Sequence, residues 1–260
     1  MVDLLKRERL RLIVEAIQEQ GGATVSDLSA RFAVSEITIR RDLRELADQR
    51  LIHRAHGGAV PASPATPPEP PVVQRMAEQA DYKKRIGRAA AQLIANGDTV
   101  FVGSGSTNAY LTRFLLELGR QNLTVVTNAL NIATELATAP DVTVVVLGGM
   151  MRASELSLIG HITEQALREV RIDKAIIGIP AISIEAGLTN DYLPEVMTDR
   201  AIIEAAAELI LVADHTKFNK VASAYLAQLN RVDTLVTDAQ TDSTVLQAIR
   251  ALGVRVIVAE

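Results

Sequence analysis

The sequence predicts an α/β protein in two parts, a small three-helix unit carrying a β-wing and a larger domain around a mainly parallel sheet. Three observations carry this expectation. Residues 5–48 hold three short amphipathic helical patterns, the last two almost abutting. Residues 60–72, VPASPATPPEPPV, contain six of the nine prolines, a density that makes a semi-rigid extended linker and no packed core. Beyond it, short β-branched or aliphatic runs alternate with helical stretches, the pattern of a sheet covered on both faces.

Residues 5–20, LKRERLRLIVEAIQEQ, set Leu10, Ile13, Val14 and Ile17 on one side of a helix that Gly21-Gly22 stops. Thr24 can cap a second helix with Val25, Leu28 and Phe32 inward, and Ala33-Val34 is a tight connection. Ser35 caps a third helix, in which Ile39, Leu43 and Leu46 recur at i, i+4 and i+7. Its other faces show Thr38, Arg40, Arg41 and Arg44. Two helices so closely set form a helix-turn-helix, and a helix that buries one narrow stripe while displaying hydroxyls and arginines suits a major groove. Arginine forks match guanine edges and phosphates, and threonine can touch a thymine methyl. LIHRAHGGAV then alternates and turns at Gly57-Gly58, a small wing from which His53, Arg54 and His56 can reach the backbone or a minor groove. The expected DNA-contacting set is Ser35, Thr38, Arg40, Arg41, Arg44, Arg54 and His56.

The run V-S-x-x-T-I-R-R-D-L-x-x-L from Val34 to Leu46, followed by R-x-H-G-G-A from Arg54 to Ala59, resembles the DeoR family of bacterial transcriptional regulators. One departure is Arg50, where that family usually has Gly or Asn. A left-handed conformation there costs about 1 kcal/mol.

A chain of 260 residues accommodates one small and one medium domain. Its 48% hydrophobic content with only 3% aromatics points to Ala/Val/Ile/Leu packing. It has no cysteine, so disulfides and thiolate metal sites are excluded, as suits a reducing compartment. The charged N-terminal stretch does not read as a leader, and no apolar run approaches the ~20 residues of a membrane span; the expected location is the cytoplasm. The formal charge is −4, and residues 1–60 hold 10 Lys+Arg against 9 Asp+Glu, a balance of only +1. DNA affinity must therefore come from the placement of particular arginines, and is expected to need a homo-oligomer, a dimer or tetramer, on a repeated or palindromic site.

After the linker, residues 78–95 read as a helix with Tyr82, Ile86, Ala89, Ala90 and Leu93 facing one way. The expected strands are 99–102, 123–127, 142–147, 174–179, 209–213, 234–237 and 254–258. In such sheets ligands sit at the carboxyl ends of the strands. The first such end is Gly103-Ser104-Gly105-Ser106-Thr107, where two glycines permit a tight turn and free N–H groups at a helix start can cradle an anion. Others are Thr127-Asn128, Leu147-Gly148-Gly149 and Asp214-His215-Thr216-Lys217-Phe218. Lys217 can supply charge for a phosphate monoester and Asp214 can accept from sugar hydroxyls, while Arg75 and Lys83 are further cations near the linker exit. The expected effector set is Arg75, Lys83, Ser104, Gly105, Ser106, Thr107, Asn128, Asp214 and Lys217.

These segments also resemble the DeoR family, in its C-terminal effector domain: V-V-T-N at 125–128, L-G-G at 147–149, Arg152, Gly160, Asp173, Gly178, G-L-T at 187–189 and D-H-T-K-F at 214–218. The resemblance implies a fold similar to ribose-5-phosphate isomerase and the binding of a phosphorylated sugar or polyol. Gly103 stands where the family commonly has Asp, and Asp199 where it commonly has Lys.

The leading expectation is a DNA-binding repressor of a carbohydrate or polyol operon, released from double-stranded operator DNA by a phosphorylated sugar or polyol. The domains are then 1–60 for DNA binding, 61–73 as linker, and 74–260 for effector binding and oligomerisation. The alternative is a sugar-phosphate isomerase or deaminase with an appended DNA-binding domain, drawing a carboxylate base from Asp214, Asp191 or Asp173 with Lys217. No cofactor and no metal is expected: the histidines at 53, 56, 161 and 215 show no ligand spacing.

Overall fold

The computed structural model describes residues 6–20, 22–48, 51–55, 57–61 and 70–260. The chain divides between Glu69 and Pro70 into two units. His56 and Arg50 lie outside the described residues, as do positions 62–69 of the proline stretch.

In the first unit, α1 (Lys6–Gln20), α2 (Val25–Phe32) and α3 (Glu36–Asp48) enclose one core with a short sheet. Thr24 caps α2 by accepting the Asp27 amide at 3.1 Å. The helix ends where Ala33 turns left-handed at φ 53, and within two residues Ser35 accepts the Thr38 amide at 3.2 Å to open α3. Ile13, Ala16 and Ile17 of α1 meet Leu28 of α2 and Ile39, Leu43 and Leu46 of α3. The sheet is β1 (Ala23–Thr24), β2 (Ile52–Ala55) and β3 (Gly58–Pro61), with β3 central. Ile52 and Ala59 tie it to the helical core.

The second unit opens with α4 (Val72–Ala77) and α5 (Ala80–Ala91), two helices where one was expected, because Gln79 adopts φ 52 between them. β3 thus runs to Pro61 and α4 begins at Val72, so ordered structure enters the expected 61–73 linker from both sides. The buried face of α5 is Lys83, Ile86, Gly87, Ala90 and Ala91. Tyr82, Ala89 and Leu93 are only half-buried, so the helix is rotated from the expected stripe. A Cβ on Gly87 would lie 2.7 Å from the Leu111 amide nitrogen and 3.1 Å from the Tyr110 carbonyl carbon. Gly87→Ala is therefore expected to destabilise the unit by about 1–3 kcal/mol through overpacking, more than the ~1 kcal/mol of helix propensity it gains. Urea unfolding measures the net sign.

Then follow β4 (Thr99–Val102), α6 (Ser106–Leu118), β5 (Leu123–Thr127), α7 (Leu130–Leu136) and β6 (Val142–Val146). A hairpin of β7 (Met150–Arg152) and β8 (Ser157–Ile159) leads to α8 (His161–Arg168) and β9 (Ile172–Ile177). The remainder is β10 (Ala181–Ser183), β11 (Gly187–Asn190), α9 (Val196–Ala205), β12 (Ala206–Val212), β13 (Ala224–Ala227), β14 (Thr234–Asp238), α10 (Ser243–Ala251) and β15 (Arg255–Ala259). Seven strands form one sheet in the order β15-β14-β12-β9-β4-β5-β6, with every pair parallel. These are the seven runs legible in the sequence. The β7–β8 hairpin and the small sheet β10-β11-β13 were not anticipated.

Alternate strand residues face opposite layers. Val100, Val102, Ile176, Ile210 and Val212 pack with Ile86 and Leu111, whereas Phe101, Ala175, Ile177, Leu209 and Leu211 pack with Leu167, Ile202 and Ile249. From β4 the chain steps outward through β5 to β6, then crosses back to β9 and steps the other way. The strand order therefore reverses between β4 and β9, and their carboxyl ends define the crevice where a ligand is expected.

Candidate functional site

On α3 the buried stripe contains Asp42 as well as Ile39, Leu43 and Leu46. Asp42 is 1% exposed and accepts from Arg9 Nε of α1 at 2.7 Å. The opposite face presents Arg40, Arg41 and Arg44 to solvent. Arg40 lies 3.3 Å from Glu36 one turn back. Ser35 and Thr38 share a hydroxyl hydrogen bond of 2.9 Å, so both serve the cap as well as facing outward. Arg54 is exposed on β2, which pairs with β3 in the wing. Two close-set helices, a wing and an arginine face make this unit a winged helix-turn-helix.

At the crevice of the second unit, the Gly103 amide donates to Ile176 O at 3.0 Å, joining β4 to β9. Asn108 Nδ2 donates to Gly103 O at 2.9 Å and Ile176 O at 3.2 Å, which fixes the loop. Gly105, at φ 124, precedes α6 and supplies no side-chain cap. The first N–H groups of α6 thus lack a capping side chain at the positive end of a helix dipole. Ser106 and Thr107 are buried, while Ser104 and Gly105 are half-exposed. On β5, Thr127 Oγ1 donates to Val102 O at 2.7 Å. Asn128 Nδ2 holds Leu158 O of the hairpin at 3.0 Å, and its buried Oδ1 has no hydrogen-bond partner among the described residues. Leu147-Gly148-Gly149 is different: Thr163 Oγ1 donates to Gly148 O at 2.6 Å, so α8 packs on that turn.

Lys83 is the unusual residue. It is 4% exposed, and its Nζ donates to Arg75 O at 2.7 Å. Burial lowers its pKa; the Asp214 carboxylate resists that fall and the Lys217 ammonium adds to it. Glu78 and Arg75 act on it more weakly, in opposite senses. The structure thus gathers Arg75, Lys83, Asp214 and Lys217. Asp214 is not simply poised for ligand hydroxyls: its Oδ1 accepts the Thr216 amide at 2.9 Å and the Thr216 hydroxyl, capping the turn that carries Lys217. The Arg75 guanidinium turns to Glu155, with Nε on Pro70 O at 3.0 Å. His215, given no role of its own in the strand-end run 214–218, is held through Nδ1 by buried Asp238 at 3.0 Å.

A second polar group brings together Arg152 and Asp199, which the sequence offered only separately. Arg152 pairs with Glu195 and lies 4.2 Å from the Tyr192 ring centroid. Asn190 Nδ2 donates to Glu195 at 3.2 Å and to Asp199 at 2.7 Å. Burial raises the Asp199 pKa well above the ordinary carboxylate range, and the neighbouring Glu195 charge adds to it. Asn190 and Arg152 oppose that rise, and Glu155 reinforces it. Because the native state holds this proton to higher pH than the unfolded chain does, stability falls as pH rises from the ordinary carboxylate value toward the raised one. Asp199→Asn keeps the shape and removes that loss. Its Tm is expected to exceed that of the parent at neutral pH and to converge with it in acid, as pH-dependent thermal unfolding would show.

The three carboxylates on which an isomerase would draw are engaged elsewhere. Asp173 accepts the Thr99 amide at 2.8 Å, at the amino end of the sheet. Asp191 accepts the Ser223 amide at 2.9 Å, and Asp214 caps its turn. Among the described residues, no group of three or more His, Cys, Asp or Glu is placed to hold a metal, and no helix is long and apolar enough to cross a membrane.

A winged helix-turn-helix followed by an α/β domain with polar loops at its strand ends defines a ligand-responsive DNA-binding regulator. Residues 9–65 match the DeoR-like helix-turn-helix domain and residues 78–239 the DeoR C terminal sensor domain. The chain belongs to the DeoR family of transcriptional regulators. It is 38% identical to the glycerol-3-phosphate regulon repressor of Escherichia coli K12, over 91% of this chain and 92% of that one. It is 33% identical to the HTH-type transcriptional regulator GlpR of Haloferax volcanii, over 98% of each chain, and 32% identical to the putative aga operon transcriptional repressor of Escherichia coli O157:H7, over 96% and 93%. Among solved structures, ribose 5 phosphate isomerase A from Neisseria gonorrhoeae covers 52% of each chain with a TM-score of 0.39 and 18% identity, too slight a likeness to argue from.

Proposed function

We propose that this regulator represses a carbohydrate or polyol catabolic operon in the cytoplasm and leaves its operator when a phosphorylated sugar or polyol binds the α/β domain. The observation that carries the reading is Lys83: a cation 4% exposed, with its pKa lowered by burial, beside Lys217 at the carboxyl edge of the sheet. Such a charge disfavours folding and is retained where an anion will meet it. In this reading the phosphate sits on the N–H groups of Ser104, Gly105, Ser106 and Thr107, between Lys83 and Lys217. Asn128 reads hydroxyls through its Oδ1, which has no hydrogen-bond partner among the described residues. Asp214, whose Oδ1 caps its own turn, offers them its second carboxylate oxygen, and Arg75 adds charge from α4 while its guanidinium pairs with Glu155. The names of the relatives support the effector class. Ser35, Thr38, Arg40, Arg41, Arg44, Arg54 and His56 face DNA, and the balance of +1 in residues 1–60 calls for two or more recognition helices in a homo-oligomer. Residues 1–60 serve DNA binding, and residues 74–260 serve effector binding and assembly.

The route from ligand to DNA runs through α4. Val72 N donates to Ser154 O at 2.7 Å, Tyr110 Oη to Met76 O at 3.1 Å and Lys83 Nζ to Arg75 O. A phosphate that captures Lys83 removes one of these ties from the helix that follows the linker. Coupling is reciprocal, so operator DNA must weaken ligand binding by the same factor. The test is thermal unfolding against sugar and polyol phosphates, each beside its unphosphorylated parent. A native-state ligand at a hundredfold excess over Kd adds about 2.7 kcal/mol. A shift with an ester and none with its parent supports the reading; no shift with any ester overturns it.

A further inference from the structure

Ile37 is 81% exposed, the most exposed large apolar side chain among the described residues. It sits in the first turn of α3. Along that helix Ile37, Arg41 and Arg44 recur at i, i+4 and i+7, a stripe opposite the buried Ile39, Asp42, Leu43 and Leu46. Nothing in the local fold needs an isoleucine there: the cap is made by Ser35, and Glu36 lies beside Arg40. A β-branched residue is also a poorer helix former than most at an exposed site. Of the groups lining a major groove, the C5-methyl of thymine is the apolar one, and the N-terminal residues of a recognition helix are those that reach base edges.

We propose that Ile37 reads a thymine methyl in the operator, setting base preference at that position, while Arg41 and Arg44 on the same stripe supply charge toward guanine edges or phosphates. The inference rests on the operator-binding reading and adds a specificity-determining residue to it. Because the side chain touches solvent rather than core, replacing it leaves the fold of the unit intact, which thermal unfolding of the variant checks.

The test starts from duplexes that the full chain recovers from a randomised library. Each thymine of a recovered duplex is replaced in turn by deoxyuridine, which removes only the methyl group. At one position of the site the parent is expected to lose about fourfold in affinity, the worth of one buried methyl. Ile37→Ala is expected to bind the thymine duplex more weakly and to be indifferent to deoxyuridine at that position. The inference is overturned if the parent tolerates deoxyuridine everywhere, or if Ile37→Ala discriminates as the parent does. Failure to recover any duplex would instead overturn the operator-binding reading itself, so the two failures are distinguishable.

Discussion

Asp42→Ala is expected to destabilise the DNA-binding unit by about 3 kcal/mol and to abolish operator binding at temperatures the parent tolerates. Breaking a buried ion pair by removing one partner costs roughly 3–5 kcal/mol. The lower end applies because the Arg9 side chain keeps 12% exposure against 2% for Asp42. The loss is large against the total, since small domains are stable by only about 0.05–0.15 kcal/mol per residue. The pair also sets orientation: Arg9 belongs to α1 and Asp42 to α3, so without it the recognition helix is held to α1 by apolar contacts and the exposed Lys6–Glu45 pair. Hydrogen exchange of the α1 and α3 amides would report the loss. Glu45→Gln is the contrast. Lys6 and Glu45 lie 2.6 Å apart, yet their side chains are 55% and 35% exposed, and an exposed pair is worth about 1 kcal/mol or less. Equal effects from the two substitutions would refute the distinction.

Lys83→Met is expected to lower affinity for a phosphorylated effector about 10- to 100-fold, the worth of a charge-assisted hydrogen bond, while leaving the ligand-free protein as stable as before or more so. The sign follows from linkage. With its pKa lowered in the fold by burial, Lys83 gives up its proton at lower pH in the native state than in the unfolded chain. Stability therefore rises with pH between the two values, and the charged form is a standing cost below them. Methionine removes that cost and fills similar space. Arg75 O is not orphaned by the change, because the Glu78 amide still donates to it at 3.2 Å. Thermal unfolding with and without ligand separates the two effects. A variant that loses stability and keeps its response would show Lys83 to be a structural lysine.

What could be read in advance was whatever repeats over a few residues. Ser35 and Thr24 announce helix starts because a cap acts across three residues. The seven sheet strands announce themselves because a strand buried on both faces must be apolar throughout. The solvent-facing arginines of α3 were legible too, lying off a stripe that Ile39, Leu43 and Leu46 define by spacing alone. The three-residue strands of the β7–β8 hairpin are too short to show a period. The stripe assigned to α5 was rotated because Lys83, a charged residue, takes an inward position that periodicity reserves for apolar ones.

The two-part α/β architecture, the helix-turn-helix, the strand-end loops and membership of the DeoR family are all legible along the chain. Each is written in local composition, spacing or ordered motif. Tertiary structure alone decided the polar pairings: Arg9 with Asp42 across 33 residues, Arg152 with Glu195 across 43, and Lys83 with the surroundings of Asp214 and Lys217. It also turned Asp214 from an open acceptor into the cap of its own turn. The physical reason is that a buried charge is tolerated only where a partner meets it, and folding brings that partner from elsewhere in the chain.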